Sequence, residues 1–82
     1  MFYVYILYSL KTGEFYKGLT NSLTRRLNQH FSGKVKSTCK KLPLKVIHVE
    51  ICKNRQEARN LEKFFKSGFG REIIEEISGL LI

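Results

Sequence analysis

The sequence contains no aspartate, one proline and two cysteines among its 82 residues. The cysteines, Cys39 and Cys52, allow at most one bridge, too few for the patterned framework of a stapled secreted mini-protein. They read as reduced thiols, which implies a cytoplasmic location. Together with the two histidines they lack the paired spacing of a zinc-finger quartet. Long apolar runs are missing as well, so no stretch suits a membrane span. The N-terminal "MFYVYILYSL" has no basic lead and no small-residue cleavage site, so it does not read as a signal peptide. Its alternation of aromatic and branched residues fits a strand.

What is abundant is positive charge. Fifteen lysines and arginines face seven glutamates, a net charge of +8. Ten basic residues and the single acid Glu50 lie from Lys17 to Arg55, whereas from Arg71 onward three glutamates face one arginine. A basic middle on a small chain predicts a polyanion partner, nucleic acid first. The ordinary alternative is a basic surface that serves solubility alone. The length implies one small domain over residues 1–82, with little core to spare.

Residues 2–8, "FYVYILY", and 14–19, "EFYKGL", are rich in strand formers, and the "SLKTG" between them holds a turn glycine, so a hairpin is expected. Pairing in which residue numbers sum to 21 would set Tyr5 opposite Tyr16. A one-residue slip would send them to opposite faces, and the sequence leaves the register open. "TNSLTRRLNQHF" follows as a helix that Thr20 or Asn21 can cap. Leu23, Leu27 and Phe31 recur every four residues and make its expected buried stripe. Arg26 and His30 run along the edge of that stripe.

A basic connection, 32–44, carries Lys34, Lys36, Lys40 and Lys41 and is ended by Pro43. "KVIHVEI", 45–51, is the third strand. The next helix opens with Asn54 and has Glu57 three residues on, a capping-box arrangement. Ala58, Leu61 and Phe65 form its apolar face, with Glu62 at the edge. Gly68 and Gly70 are expected to break the chain before a last short helix, "REIIEEI". The fold class is α+β in the order ββαβαα.

Arg26 and Glu62 thus stand at two core boundaries, with a tyrosine-bearing hairpin between them. In this order the motifs resemble the GIY-YIG nuclease family, and its small members similar to the nuclease domain of the bacterial excinuclease incision subunit. "VYI" (4–6) stands at the first motif and "YKG" (16–18) at the second. "LTRRLNQH" and "EARNLEKFFK" match the arginine and glutamate helices. The resemblance implies a three-stranded antiparallel sheet flanked by helices. It also implies hydrolysis of phosphodiester bonds, DNA ahead of RNA, with one divalent metal, Mg²⁺ or Mn²⁺.

Carried over by resemblance, Tyr5 is the general base for water and Tyr16 its partner in one hydrogen-bond cluster. Gly18 lies where the backbone approaches closely. Arg26 stabilises charge on the phosphate, His30 helps accept or relay the proton, and Glu62 is the metal ligand. Lys17, Lys34, Lys36, Lys40 and Lys41 are the candidate nucleic-acid contacts. The chemistry sets a condition, because a free tyrosine has a pKa near ~10. Nearby positive charge must stabilise its phenolate, and Arg26, Lys17 and the metal are the candidates.

The chain departs from the family pattern at "VYI", at Lys17, and in having no asparagine after Asn60. That last contact is therefore absent or taken over by Lys66. Each residue also has an ordinary reading. Tyr3, Tyr5 and Tyr16 suit any strand. Arg26 could be a solvated helix charge, and His30 a polar residue at the core rim. Glu62 has Lys66 four residues on. A catalytically weak nucleic-acid-binding module of the same fold, and a protein-interaction domain, are the competing functions.

Overall fold

The computed structural model describes residues 1–81; Ile82, the last residue of the expected domain, lies outside them. The elements are β1 Phe2–Ser9, β2 Phe15–Thr20, α1 Leu23–Phe31, β3 Leu44–Cys52, α2 Arg55–Lys66 and α3 Gly68–Leu81. The order is the ββαβαα read from the sequence. The strands form one antiparallel sheet in the order β2-β1-β3. No helix among the described residues is long and apolar enough to cross a membrane.

β1 is central and covered on both faces, which is why its apolar run is nearly unbroken. Val4, Tyr5, Ile6 and Leu7 are all at most 1% exposed. Val4 and Ile6 point to one side and build the main core with Ile47, Cys52, Ala58, Phe65 and Ile74. α2 and α3 cover that side. Tyr5 and Leu7 point to the other side, toward α1 and the 32–43 connection. Ile47 is the extra residue of a bulge, since Ile6 pairs with His48 and Leu7 with Val46.

The hairpin register, open from the sequence, is settled by the structure. Tyr5 pairs with Gly18 and Leu7 with Tyr16, so the numbers sum to 23 rather than 21. The cause is the turn. Ser9 N donates to Glu14 O and Gly13 N donates to Ser9 O, both at 2.9 Å, with Gly13 at a φ of 77° that favours glycine. A shift of two residues preserves the face, so Tyr5 and Tyr16 still share one side of the sheet.

α1 also departs from expectation. Its N-cap is Ser22, without a side-chain cap bond. Thr20 Oγ1 instead accepts from Ser22 N at 3.0 Å and holds the turn before the helix. Phe31 is 44% exposed, whereas His30 is completely buried. Helical geometry explains the exchange. At about 100° per residue, a position seven residues on returns close to its starting direction, but one eight residues on has drifted by most of a quadrant. The inward edge is therefore Leu23, Arg26, Leu27 and His30, of which His30 is buried and the other three half-buried.

α2 follows the sequence more closely. Asn54 Oδ1 accepts from Glu57 N at 2.8 Å, and Glu57 Oε1 reaches back to Lys53 N at 3.3 Å instead of the cap residue itself. Ala58 and Phe65 are buried as expected. The glycines do not break the chain. Ser67, in extended backbone, separates α2 from α3. Its hydroxyl accepts from Gly70 N at 3.2 Å and its carbonyl from Arg71 N at 3.0 Å. The last helix therefore includes both glycines and spans 14 residues.

Candidate active site

Tyr5 leaves the central strand and extends across Gly18 of the edge strand. A Cβ at Gly18 would overlap the hydroxyl end of the Tyr5 ring. The missing side chain is what lets the ring lie flat over β2. There it meets Tyr16, with ring centroids 6.3 Å apart and tilted by 35°. The His30 imidazole wedges against both rings, 5.5 Å from Tyr5 and 5.0 Å from Tyr16.

Two short hydrogen bonds fix the imidazole. Its Nε2 lies 2.9 Å from Tyr5 Oη and its Nδ1 lies 2.8 Å from Thr38 Oγ1. Thr38 is fully buried although it belongs to the basic connection. It is the site residue that sequence reasoning missed. A threonine among lysines looks like loop polarity, and no local pattern distinguishes it.

Arg26, one turn before His30, is part-buried and faces the tyrosines. Its Nη1 donates to Gln29 Oε1 at 3.1 Å. Hydrogen bonding to Tyr5 is the main influence holding the guanidinium above its usual pKa. Burial pushes the Tyr5 hydroxyl above the usual tyrosine value, Arg26 opposes that rise by hydrogen bonding and charge, and Tyr16 and Glu62 add to it. His30 is lowered to about 4, by burial first and then by the Arg26 charge. At neutral pH the imidazole is therefore uncharged, with one N–H and one lone pair.

Glu62 projects from α2, and only its charge is felt at this cluster. Its carboxylate contributes to the Tyr5 shift and is engaged by Lys66 Nζ at 3.6 Å. Among the described residues no group of three or more His, Cys, Asp or Glu forms a metal cage. The donor that α2 offers is one hard carboxylate, Glu62. Mg²⁺ and Mn²⁺ accept such a donor, because Mg²⁺ keeps several waters and takes further oxygens from a substrate phosphate.

The candidate lysines scatter. Lys17 points away from Tyr5, because its neighbours Tyr16 and Gly18 face Tyr5 and strand side chains alternate. It lies in a hollow of about 250 Å³ with Phe15, Arg71 and Ile74, flanked by Glu14 and Glu75. Burial lowers its ammonium pKa, and Arg71 and Lys66 lower it further. The expected support of a Tyr5 phenolate by Lys17 is thus corrected, and Arg26 is the cation that faces the hydroxyl. Lys34 lies with Arg25 and Gln29 along a groove of about 590 Å³ on the outer side of α1, away from the tyrosines. Lys36 and Lys40 are exposed. Lys41 pairs with Glu14 at 3.5 Å, so its charge is partly neutralised at the hairpin.

The model of the GIY-YIG catalytic domain matches residues 1–73, which hold Tyr5, Tyr16, Arg26, His30, Thr38 and Glu62. A UPF0213 protein of Streptococcus agalactiae is 40% identical over 65 residues, covering 78% of this chain and 73% of that protein. Another, from Bacillus licheniformis, is 38% identical over 65 residues, covering 78% of this chain and 66% of that protein. The solution NMR structure of a UPF0213 protein from Bacillus halodurans superposes with a TM-score of 0.57 at 32% identity, covering 96% of this chain and 87% of that one.

Proposed function

The chain belongs to the GIY-YIG family, within its UPF0213 group, and from that premise we propose that it is a metal-dependent endonuclease cutting nucleic acid, DNA ahead of RNA. The fold is of the nuclease type and the family acts on nucleic acids. The observation that carries the proposal is the Tyr5–His30 hydrogen bond at 2.9 Å, set beside a guanidinium on one side of the sheet.

In this reading Tyr5, protonated at rest because burial raises its hydroxyl pKa, passes its proton to the neutral His30 imidazole at Nε2 as it takes one from water. The water oxygen attacks phosphorus, the bond to the leaving oxygen breaks, and the pentacovalent phosphate gains negative charge. Arg26 meets that charge with a planar fork of donors suited to phosphate oxygens. Tyr16 and His30 hold the Tyr5 ring and hydroxyl in place. Glu62 would hold the divalent ion, which when bound polarises the phosphoryl oxygen and stabilises the leaving group. Lys36 and Lys40 would grip backbone phosphates, so recognition would follow strand shape more than base edges.

The second reading is a nucleic-acid-binding module of the same fold with weak catalysis. The ion pair between Glu62 and Lys66 favours it, because the carboxylate already has a partner. Purified protein is incubated with supercoiled, branched and single-stranded DNA and with RNA, in Mg²⁺ or Mn²⁺, beside Glu62→Ala, Tyr5→Phe and Arg26→Ala. Metal-dependent cutting lost in all three variants supports the nuclease. Binding without cutting under either metal supports the module. No binding at moderate salt defeats both.

A further inference from the structure

Resting on the nucleic-acid reading of the site, we propose that the hollow between β2 and α3 is a second phosphate subsite. In it Lys17 and Arg71 take a backbone phosphate of the bound strand, on the far side of the sheet from Tyr5.

The hollow is shared by the two elements. Lys17 projects from β2 and Arg71 from near the start of α3, beside apolar walls of Phe15 and Ile74. Its volume of about 250 Å³ is below the roughly 300–1,000 Å³ of pockets that enclose drug-sized ligands. A space of that size suits a phosphate group and not a whole nucleoside.

The charges around the hollow are unbalanced. Among the described residues no ion pair joins Lys17 or Arg71 to a carboxylate. The two glutamates at the rim do not compensate. Glu14 is engaged by Lys41 at 3.5 Å, and Glu75 is exposed one turn beyond Arg71. Burial first, and then the charges of Arg71 and Lys66, act against the Lys17 ammonium. A half-buried cation beside two others is costly, and an anion set among them lowers that cost. Phosphate oxygens accept from both the lysine point charge and the guanidinium fork.

A row of charges identifies the source of that phosphate. Glu62 acts on Tyr5 through its charge. Lys66 pairs with Glu62 at 3.6 Å and acts in turn on Lys17. The row leads from the tyrosine cluster along the C-terminal part of α2 to the hollow. β2 is an edge strand, with Tyr16 facing one side and Lys17 the other. A nucleic-acid strand can therefore round that edge without crossing the sheet. A free phosphate would need the hollow alone, whereas a continuous row suits a strand that spans both places.

The test uses the full chain without divalent metal, so that binding is read without cutting. The native protein is titrated with a single-stranded oligonucleotide and, separately, with inorganic phosphate. The Lys17 and Arg71 NMR signals should shift with the oligonucleotide. Shifts with inorganic phosphate alone, or with neither, overturn the proposal. Lys17→Gln and Arg71→Gln should each make the slope of log affinity against log salt shallower by about 0.7 on single strands. Lys53→Gln, which removes an exposed charge beyond the opposite edge strand, should leave the slope unchanged. Native slopes in the two hollow variants, or an equal loss in Lys53→Gln, overturn the subsite. If a hollow variant does not fold, the native shifts still decide. Strand binding in the hollow without cutting under Mg²⁺ or Mn²⁺ defeats the nuclease reading alone. Cutting by a protein whose hollow ignores the strand defeats the subsite alone.

Discussion

The Tyr5 ring rests on Gly18 so closely that even a methyl group at position 18 would overlap its hydroxyl end. The glycine is needed for space, not for an unusual backbone angle. Gly18→Ala must therefore lift the ring away from His30 and Arg26. The overpacking is expected to cost about 1–3 kcal/mol of stability and to remove most cleavage. Thermal melts and cleavage assays check this together. A Gly18→Ala protein that melts and cuts like the native one would show that Tyr5 has another place to go.

Burying His30 makes stability depend on pH. The imidazole titrates at about 4 in the folded chain against an ordinary 6.5. Its pKa is depressed, so between those values the unfolded chain binds more protons. Its contribution is fully present above 6.5 and declines as pH falls toward 4. The full extent is about 3 kcal/mol. Denaturant titrations across that window should show the loss, and His30→Gln should flatten the part of it due to this residue. Equal slopes in the two proteins would defeat the prediction.

Arg26 and Arg25 are neighbours in sequence with opposite expected effects. Arg26 faces the two tyrosines, and Arg25 lies exposed on the outer side of the helix. Arg26→Lys keeps the charge but loses the planar fork. We expect a loss of about a hundredfold in kcat with little change in DNA affinity. Arg25→Ala should change stability by about 0.5 kcal/mol or less. Equal kinetic effects at the two positions would remove Arg26 from the site.

The basic connection should reveal itself through salt. On duplex DNA, removing one lysine that neutralises a phosphate makes the slope of log affinity against log salt shallower by about 0.9. Lys36→Ala and Lys40→Ala should each reduce the slope by about that amount. Lys41→Ala should reduce it less, because Lys41 is already paired with Glu14. Fluorescence anisotropy at several salt concentrations measures all three. Unchanged slopes for Lys36→Ala and Lys40→Ala would place the phosphate grip elsewhere.

Much of this was legible in the sequence because it depends on neighbours in the chain. Strand composition, the Asn54 cap and the apolar spacing of Ala58, Leu61 and Phe65 gave the element order and α2. The ordered motifs gave the family. Where one residue of spacing or one direction of a side chain mattered, local pattern failed. Phe31 looks more buried than His30 on hydropathy, yet the face of α1 that meets Tyr5 and Tyr16 buries the imidazole.

The sequence by itself determined the charge, the elements and the set of chemically able side chains, since these follow from composition and short-range periodicity. The tertiary structure alone decided which of them meet. The turn at Ser9–Glu14 set the register that places Tyr5 over Gly18. Strand alternation turned Lys17 to the far face. The path of the 32–44 connection brought Thr38 to His30 Nδ1. Such contacts join residues far apart in the chain, and they form only when the whole molecule closes on its core.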